Sequence, residues 1–378
     1  MTKDRTWTYI TYLIGFGLLA ILVLGFITLG AEDGTKPKIY QAYLADLNGD
    51  GHLDAFLVFL NELNRVEYND GTGSFTTARR LMMRSFALAL GDINGDGELN
   101  AILNNFEGQT TELLCAEAPA GYLLTTPPAA RSGEYLALRG LNDSPPFSFL
   151  AGCCKGGSVV YNYDTFSDPS ACLSQEMTNA VALADLNGSG ALDAFLAKGL
   201  VFGIDGSRQR LTPNEVWFND GMGNYTDSGQ RLGREESLAV VVGDVNGDGL
   251  PDAVVGNRGP DEVWLNDGQG IFSDSGQRLD RSLTHTLFLV DLDGDGDLDL
   301  FAVGNTSGRV WLNDGAGRFI GGQHVRELGK KAIALGDVTG DGVVDFFVAG
   351  VESYLVWQGV GEGSFAPGPL TPYNRRGP

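Results

Sequence analysis

The sequence predicts an all-β fold: a seven-bladed β-propeller with calcium-binding loops, preceded by a single N-terminal transmembrane helix. Three observations support this prediction. An acidic motif recurs at a period of about 46 residues, each period contains four short apolar runs, and an uncharged apolar segment lies near the N-terminus. A period of this length with four strands per repeat is typical of propeller blades, which bury their faces by packing against neighbouring blades.

Composition supports a folded protein and excludes one class of partner. The chain has 378 residues, of which 43% are hydrophobic, which is ample for a core. It carries 26 basic and 48 acidic residues, a net charge of -22. Proteins that bind nucleic acids need a basic surface to neutralise phosphates, so a nucleic-acid partner is excluded.

The N-terminal segment from Trp7 to Leu29 contains no charged residue. At 1.5 Å per residue it is long enough to cross a hydrocarbon core of about 30 Å, and it is longer than the apolar part of a typical signal peptide. Basic residues precede it and acidic residues follow it, so the N-terminus is expected inside. We therefore expect a cytoplasmic tip and membrane anchor over 1–30, a linker over 31–39, and an extracellular or periplasmic remainder. A cleaved signal peptide is the alternative.

Six copies of an acidic nine-residue motif, close to D-x-[DN]-G-D-G-x-x-D, organise the rest of the chain. They begin at Asp46, Asp92, Asp185, Asp244, Asp291 and Asp337. The gap between the second and third copies is two periods long, and a degenerate copy with Gly140 in place of the first aspartate lies within it. The sequence thus predicts seven blades over 40–370, starting near 40, 86, 134, 178, 237, 284 and 330, and a tail over 371–378.

Each repeat is predicted to contain four strands. In the fifth repeat, Ala239–Gly243 and Asp252–Gly256 flank the acidic motif, and Glu262–Leu265 forms a third strand. An N-D-G-x-G stretch then precedes a fourth strand that begins at Ile271. Asn/Asp-Gly between short apolar runs is a strong hairpin signal.

The acidic motif has the chemistry of a calcium loop. Counted from its first aspartate, positions 1, 3, 5 and 9 carry oxygen donors, and position 7 offers a backbone carbonyl. Glycines at positions 4 and 6 permit the left-handed backbone that a sharp loop needs. Calcium accepts six to eight hard oxygen ligands, whereas the lack of Cys or His side-chain ligands argues against zinc. An EF-hand is excluded because position 12 is apolar and the flanking segments are predicted strands.

About six calcium sites are expected, with the sixth repeat the strongest because all four of its side-chain ligands are carboxylates. The third repeat should bind none. The predicted ligands are Asp46, Asp92, Asp185, Asp244, Asp291 and Asp337 at position 1; Asn48, Asn94, Asn187, Asn246, Asp293 and Thr339 at position 3; Asp50, Asp96, Ser189, Asp248, Asp295 and Asp341 at position 5; the carbonyls of His52, Glu98, Ala191, Leu250, Asp297 and Val343 at position 7; and Asp54, Asn100, Asp193, Asp252, Asp299 and Asp345 at position 9.

These repeats resemble FG-GAP/VCBS repeats, the unit of the integrin α-subunit headpiece propeller and of many bacterial secreted proteins. The resemblance covers about Tyr40 to Pro369. It implies a seven-bladed propeller with calcium in the loop joining the first two strands of a blade, and an adhesive or binding role. The degenerate third repeat and an insertion in the fourth depart from the family's pattern.

Four cysteines, Cys115, Cys153, Cys154 and Cys172, lie in the second and third repeats. Outside the cytoplasm, four cysteines are expected to form two disulfides, and three pairings are open.

The insertion Lys198–Asn214 lies on the same predicted face as the chain's emergence from the anchor. Within it, Phe202, Arg208 and Arg210 are candidate contact residues, because aromatic and arginine side chains dominate binding hot spots. A protein partner, including a membrane-embedded one, is therefore expected. No motif for a nucleophile, metalloprotease or nucleotide site is present, so the sequence predicts a non-enzyme. The predicted function is an adhesion module or an accessory subunit of a membrane complex. The alternatives are a lectin-like carbohydrate-binding propeller and, less favoured, a polysaccharide-acting enzyme.

Overall fold

The structure, a computed structural model, describes the following residues: 39–59, 62–80, 85–91, 100–105, 111–115, 123–125, 136–139, 148–152, 158–162, 171–174, 178–202, 208–221, 224–279, 283–326, 328 and 332–373. Within these ranges no helix is long and apolar enough to cross a membrane. The anchor predicted over 1–30 lies outside the described residues.

The described strands group into sheets of four. The first sheet contains β1 (Ile39–Ala45), β2 (Asp54–Phe59), β3 (Arg65–Asn69) and β4 (Phe75–Arg80). The second contains β5 (Ser85–Gly91), β6 (Asn100–Asn105), β7 (Thr111–Cys115) and β8 (Leu123–Thr125), and the third contains β9 (Leu136–Arg139), β10 (Ser148–Gly152), β11 (Ser158–Asn162) and β12 (Ala171–Ser174). The fourth contains β13 (Thr178–Ala184), β14 (Asp193–Lys198), β17 (Glu215–Asn219) and β18 (Tyr225–Asp227). Between β14 and β17 the chain forms a separate two-stranded sheet of β15 (Leu200–Phe202) and β16 (Arg208–Leu211).

The last three sheets follow the same plan. The fifth contains β19 (Ser237–Gly243), β20 (Asp252–Asn257), β21 (Asp261–Asn266) and β22 (Phe272–Leu279), and the sixth contains β23 (Thr284–Val290), β24 (Asp299–Gly304), β25 (Ser307–Asn313) and β26 (Phe319–Arg326). The seventh contains β27 (Ala332–Gly336), β28 (Asp345–Ala349), β29 (Ser353–Gly359) and β30 (Phe365–Pro367), with β31 (Thr371–Pro372) also pairing with β29.

Each sheet is an antiparallel meander of strands in chain order, apart from the β15–β16 hairpin inserted in the fourth sheet and the additional strand β31 in the seventh. The described residues contain strands and no helix, so the prediction of an all-β protein with four-stranded repeats is confirmed. The first strands of the sheets begin within two residues of the predicted repeat starts. Repeated four-stranded meanders of this kind are the architecture of a β-propeller.

Burial decreases from the first strand of a sheet to the last. In the fifth sheet every residue of β19 and β20 is buried, because these strands read as nearly continuous runs of small and branched apolar residues. The outermost strand, β22, exposes four of its eight residues and buries only Phe272 and Leu279 at its ends. The core of a repeat therefore lies around its first two strands.

The described residues divide into two compact units. One comprises the residues up to Phe86 and from His285 onward, and the other runs from Ala87 to Thr284. In the first unit, β1 packs beside β27 and the rings of Phe75 and Phe347 lie 4.7 Å apart. In the second unit, β13 packs beside β19.

The end of the chain contributes to the first unit. Residues 371–372 pair with β29, and the following Tyr373 is buried, so the fold extends three residues beyond the predicted boundary at 370. The buried guanidinium of Arg65 lies 5.1 Å from the centre of the Tyr373 ring and donates a 2.6 Å hydrogen bond to the carbonyl of Val351. These contacts join the first sheet to the seventh.

The predicted insertion forms a β-hairpin. Strands β15 and β16 pair with each other between the second and third strands of the fourth sheet. At its base, Thr212 donates through both its backbone N–H and its hydroxyl to the carbonyl of Gly199. The buried Nζ of Lys198 lies 3.5 Å from Oε2 of Glu215, so an ion pair within the core supports the hairpin.

Candidate metal centre

Five of the six predicted calcium loops lie within the described residues: 46–54, 185–193, 244–252, 291–299 and 337–345. Each joins the first and second strands of its sheet. The loop of the second repeat, from Asp92 to residue 99, lies outside them. The predicted left-handed glycines are confirmed, because positions 4 and 6 have φ between 71° and 97° in all five loops: Gly49, Gly51, Gly188, Gly190, Gly247, Gly249, Gly294, Gly296, Gly340 and Gly342.

The carboxylate at position 1 accepts hydrogen bonds from the backbone of its own loop. Asp46 accepts hydrogen bonds from the backbone N–H groups of Gly49 (2.7 Å), Asp50 (3.1 Å) and Gly51 (2.9 Å). All three bonds recur at Asp244 and Asp337, whereas Asp291 receives those of positions 4 and 6 and Asp185 those of positions 5 and 6. These hydrogen bonds therefore fix the position of the aspartate side chain without a bound ion.

The side chains at positions 3 and 5 turn back onto the loop in the same way. Each generally accepts the N–H two residues further along, as Asn48 does from Asp50 (2.8 Å) and Asp50 does from His52 (2.9 Å). In the fourth loop Ser189 takes the place of the carboxylate at position 5. These hydrogen bonds hold the predicted calcium-ligand side chains of positions 1, 3 and 5 close to the backbone of one short loop.

Position 9 has a role that sequence reasoning missed. Asp54 is fully buried, and its two oxygens accept the backbone N–H of Leu47 in its own loop (3.0 Å) and of Asn69 at the third-to-fourth-strand hairpin (2.9 Å). The same two-sided clamp recurs at Asp193, Asp252, Asp299 and Asp345. The position 9 carboxylate thus ties the acidic loop to the hairpin, in addition to its predicted role as a ligand.

Burial raises the pKa of these carboxyls, against the lowering effect of the backbone hydrogen bonds. The pKa of Asp54 rises to about 7, and the nearby carboxylates of Asp50 and Asp46 raise it further. The pKa values of Asp193, Asp252 and Asp299 each rise to about 6, also chiefly through burial. A nearby cation would offset the cost of keeping such groups ionised.

The sixth loop brings three carboxylates together. Oxygens of Asp291, Asp293 and Asp299 all lie within 4.8 Å of one another, the one such acidic cluster among the described residues. Burial, followed by the charges of Asp295 and Asp291, raises the pKa of Asp293. The donors are all hard oxygens in a loop free of Cys and His, so the residues fit calcium. This is the loop that the sequence predicts to be the strongest site.

The side chain at position 7 packs against the neighbouring hairpin. A Cβ placed on Gly71 would lie 2.5 Å from Cε1 of His52, and one on Gly268 would lie 3.1 Å from Leu250. Asp297 covers Gly315 in the same manner. The first glycine of the N-D-G-x-G stretch is therefore favoured by its positive φ, and it leaves room for the position 7 side chain.

The asparagine of the N-D-G-x-G stretch links two repeats. The amide of Asn69 donates to the carbonyl of Leu53 in its own loop (3.1 Å) and to that of Val338 in the loop of the seventh repeat (2.9 Å). Asn266 likewise reaches Leu186 in the fourth-repeat loop (2.9 Å). The stretch was predicted as a tight turn, and its recurring asparagine was the signal that could have revealed this second role.

A second recurring side chain was also missed. Gln230 accepts from the N–H of Phe272 (2.8 Å) and donates to the carbonyl of Gly270 (2.7 Å), so its amide docks on the outer strand of the fifth sheet. Gln323 similarly accepts from the N–H of Phe365 (2.7 Å), but it donates to the carbonyl of Phe365 itself (2.9 Å). The similar sequences S-G-Q-R-L and G-G-Q-H-V around these glutamines could have revealed this role.

The other predicted site residues are described only in part. Arg210 is exposed on β16, and the side chains of Phe202 and Arg208 lie outside the described set. Of the cysteines, residues 115 and 172 lie in strands whose side chains are not described, and Cys153 and Cys154 lie outside the described residues. The disulfides therefore stay a prediction.

Repeated four-stranded sheets whose first two strands are joined by acidic loops define a repeat β-propeller. The chain matches the FG-GAP-like repeat over residues 46–102, 185–255, 244–287 and 291–348, more than half of its length, and therefore belongs to that family. No curated protein matches it.

Solved structures of similar fold are distant in sequence. A functionally unknown protein from Desulfotomaculum acetoxidans is 11% identical, with a TM-score of 0.56, over 84% of this chain and 92% of that one. BBS1N in complex with ARL6DN is 10% identical, with a TM-score of 0.53, over 81% and 86%. A putative 6-phosphogluconolactonase from Bacteroides uniformis is 12% identical, with a TM-score of 0.53, over 86% and 94%. At these identities the likeness concerns the fold alone.

Proposed function

We propose that this protein is a calcium-stabilised, seven-bladed propeller, held at a membrane by its N-terminal helix, that binds a protein partner outside the cytoplasm. It would act as an adhesion module or as an accessory subunit of a membrane complex. The observation that carries the calcium part is the cluster of Asp291, Asp293 and Asp299. The six four-stranded sheets of the described residues, and the seventh to which β31 is added, support the blade number.

The residues that would hold calcium are the side chains at positions 1, 3, 5 and 9 and the carbonyl at position 7. A bound ion would supply positive charge where carboxylates converge and thereby lower the cost of their mutual repulsion. The sixth loop should bind most tightly and the fourth less tightly, because Ser189 gives the fourth loop one carboxylate fewer than the sequence pattern provides at position 5.

The inserted hairpin is the proposed partner-binding element. It adds a separate two-stranded sheet to the fourth repeat, the buried Lys198–Glu215 ion pair lies at its base, and it exposes Arg210. Arginine is enriched in binding hot spots. A similar fold supports protein contacts in BBS1N, whose structure is a complex with ARL6DN.

The partner proposal is tested by purifying the full chain from native membranes and measuring which proteins accompany it. We expect a stoichiometric protein partner that is lost in Arg210→Ala. Arg318→Ala, which removes an exposed arginine from the turn between β25 and β26, is the matched control and should retain the partner. Binding to a glycan array without any protein partner would instead support the carbohydrate-binding alternative.

A further inference from the structure

Three described acidic loops carry an asparagine followed by a glycine: Asn48–Gly49, Asn187–Gly188 and Asn246–Gly247. Such pairs deamidate spontaneously, because glycine has no side chain to hinder its own backbone nitrogen. That nitrogen attacks the asparagine Cγ and loses its proton, and ammonia leaves to give a cyclic succinimide. Water then opens the ring at either carbonyl and yields aspartate or isoaspartate, so no reactant other than water is needed.

Two of the three pairs are held by hydrogen bonds at both reacting nitrogens. The N–H of Gly49 donates to Oδ1 of Asp46 at 2.7 Å, and the amide of Asn48 donates to Oδ2 of Asp50 at 2.9 Å. The fifth-repeat loop is built in the same way, with the N–H of Gly247 on Asp244 (2.8 Å) and the amide of Asn246 on Asp248 (2.9 Å). Both bonds must break before the ring can close, which slows the reaction.

The fourth-repeat loop lacks both restraints. Because Ser189 replaces the carboxylate at position 5, the amide nitrogen of Asn187 has no such acceptor. Its Oδ1 accepts the N–H of Ser189 (2.9 Å), as Asn48 and Asn246 also accept the N–H of position 5 in their loops. The carboxylate of Asp185 accepts from Ser189 (2.9 Å) and Gly190 (2.8 Å). Within the described part of the chain, the N–H of Gly188 donates no hydrogen bond.

We propose that Asn187 is a site of spontaneous modification, and that it deamidates in the folded protein well ahead of Asn48 and Asn246. The aspartyl product would equip the fourth loop with carboxylates at positions 1, 3 and 9, the set that converges in the sixth loop at Asp291, Asp293 and Asp299. Only this consequence rests on the proposed calcium sites. The order of deamidation follows from the hydrogen bonds alone.

The order is measured on the purified full chain, incubated at mildly alkaline pH with a chelator and sampled over time by peptide mapping and mass spectrometry. From the loss of two hydrogen-bond restraints, we expect Asn187 to convert on the order of tenfold faster than the other two. In denaturant the three rates should become similar. Equal rates in the folded protein, or the same preference in denaturant, would overturn the proposal. Because metal is absent throughout, failure of the calcium proposal would leave this result unchanged.

A variant restores the missing acceptor. Ser189→Asp gives the fourth loop the position 5 carboxylate of the first and fifth loops, so Asn187 should slow towards the rate of Asn48. Ser273→Asp adds the same charge at an exposed position on β22 and should leave the rate of Asn187 unchanged. An unslowed Asn187 in Ser189→Asp would show that the hydrogen bonds do not control the reaction.

Discussion

Replacing Asp299 by alanine separates the two roles of the acidic loop, namely holding the fold and holding the ion. Asp299 is buried and accepts the N–H of Leu292 and of Asn313, both at 2.8 Å. Asp295, four residues earlier, is exposed and makes no contact of this kind with the hairpin. Both are predicted calcium ligands, so the pair forms a matched comparison.

The magnitude follows from the two donors that Asp299→Ala leaves unsatisfied. An unpaired buried N–H costs about 1–3 kcal/mol, so two cost about 2–6 kcal/mol. Removing a buried charge returns part of this cost, because burial raises the pKa of Asp299 to about 6 and the group is ionised at pH 7.5. We therefore expect a loss near the lower end of that range. For Asp295→Ala we expect a loss below about 1 kcal/mol in chelator, since its hydrogen bond to Asp297 N–H is exposed.

The assay is equilibrium urea unfolding at pH 7.5, first with a chelator and then with calcium. In chelator only Asp299→Ala should lower the midpoint substantially, whereas in calcium both variants should gain less stability than the unmodified protein. Equal stability of the two variants in chelator would refute the clamp. A calcium response that is unchanged in both variants would refute the proposed ion site while leaving the clamp intact.

Two further predictions concern charge in the core. The folded pKa values of Asp54 (about 7) and of Asp193, Asp252 and Asp299 (about 6) lie above the ordinary 3.8, so the metal-free folded state binds protons more tightly than the unfolded state. Its urea midpoint should fall as the pH rises from 5 to 8 and should recover with calcium at pH 8; a higher midpoint at pH 8 in chelator would contradict this. Arg65→Ala should cost about 3–5 kcal/mol, because it removes the cation 3.6 Å from the buried carboxylate of Glu67 and the hydrogen bond to Val351. Arg80→Ala, at the exposed residue opposite it on β4, is the control, and similar midpoints for the two variants would disprove the role of Arg65.

Local signals in the sequence determined the repeat, the strands and the loop conformation. The order of apolar runs and turn residues in one repeat was enough to predict four strands, and the glycines at positions 4 and 6 were enough to predict left-handed turns. Both depend on interactions between residues a few positions apart, which a single sequence displays directly. The hard-oxygen pattern likewise singled out the loop in which three carboxylates converge.

The tertiary structure alone decided how the loops are held. The clamp at Asp54 reaches Asn69, the amide of Asn69 reaches Val338, and Arg65 reaches Val351. These partners lie from 15 to 286 positions apart in the chain, too far apart for a local sequence pattern to pair them. A sequence motif cannot distinguish an aspartate that only ligates an ion from one that also accepts two buried N–H groups. The difference lies in the burial of the side chain and in the hydrogen-bond donors that neighbouring parts of the folded chain supply.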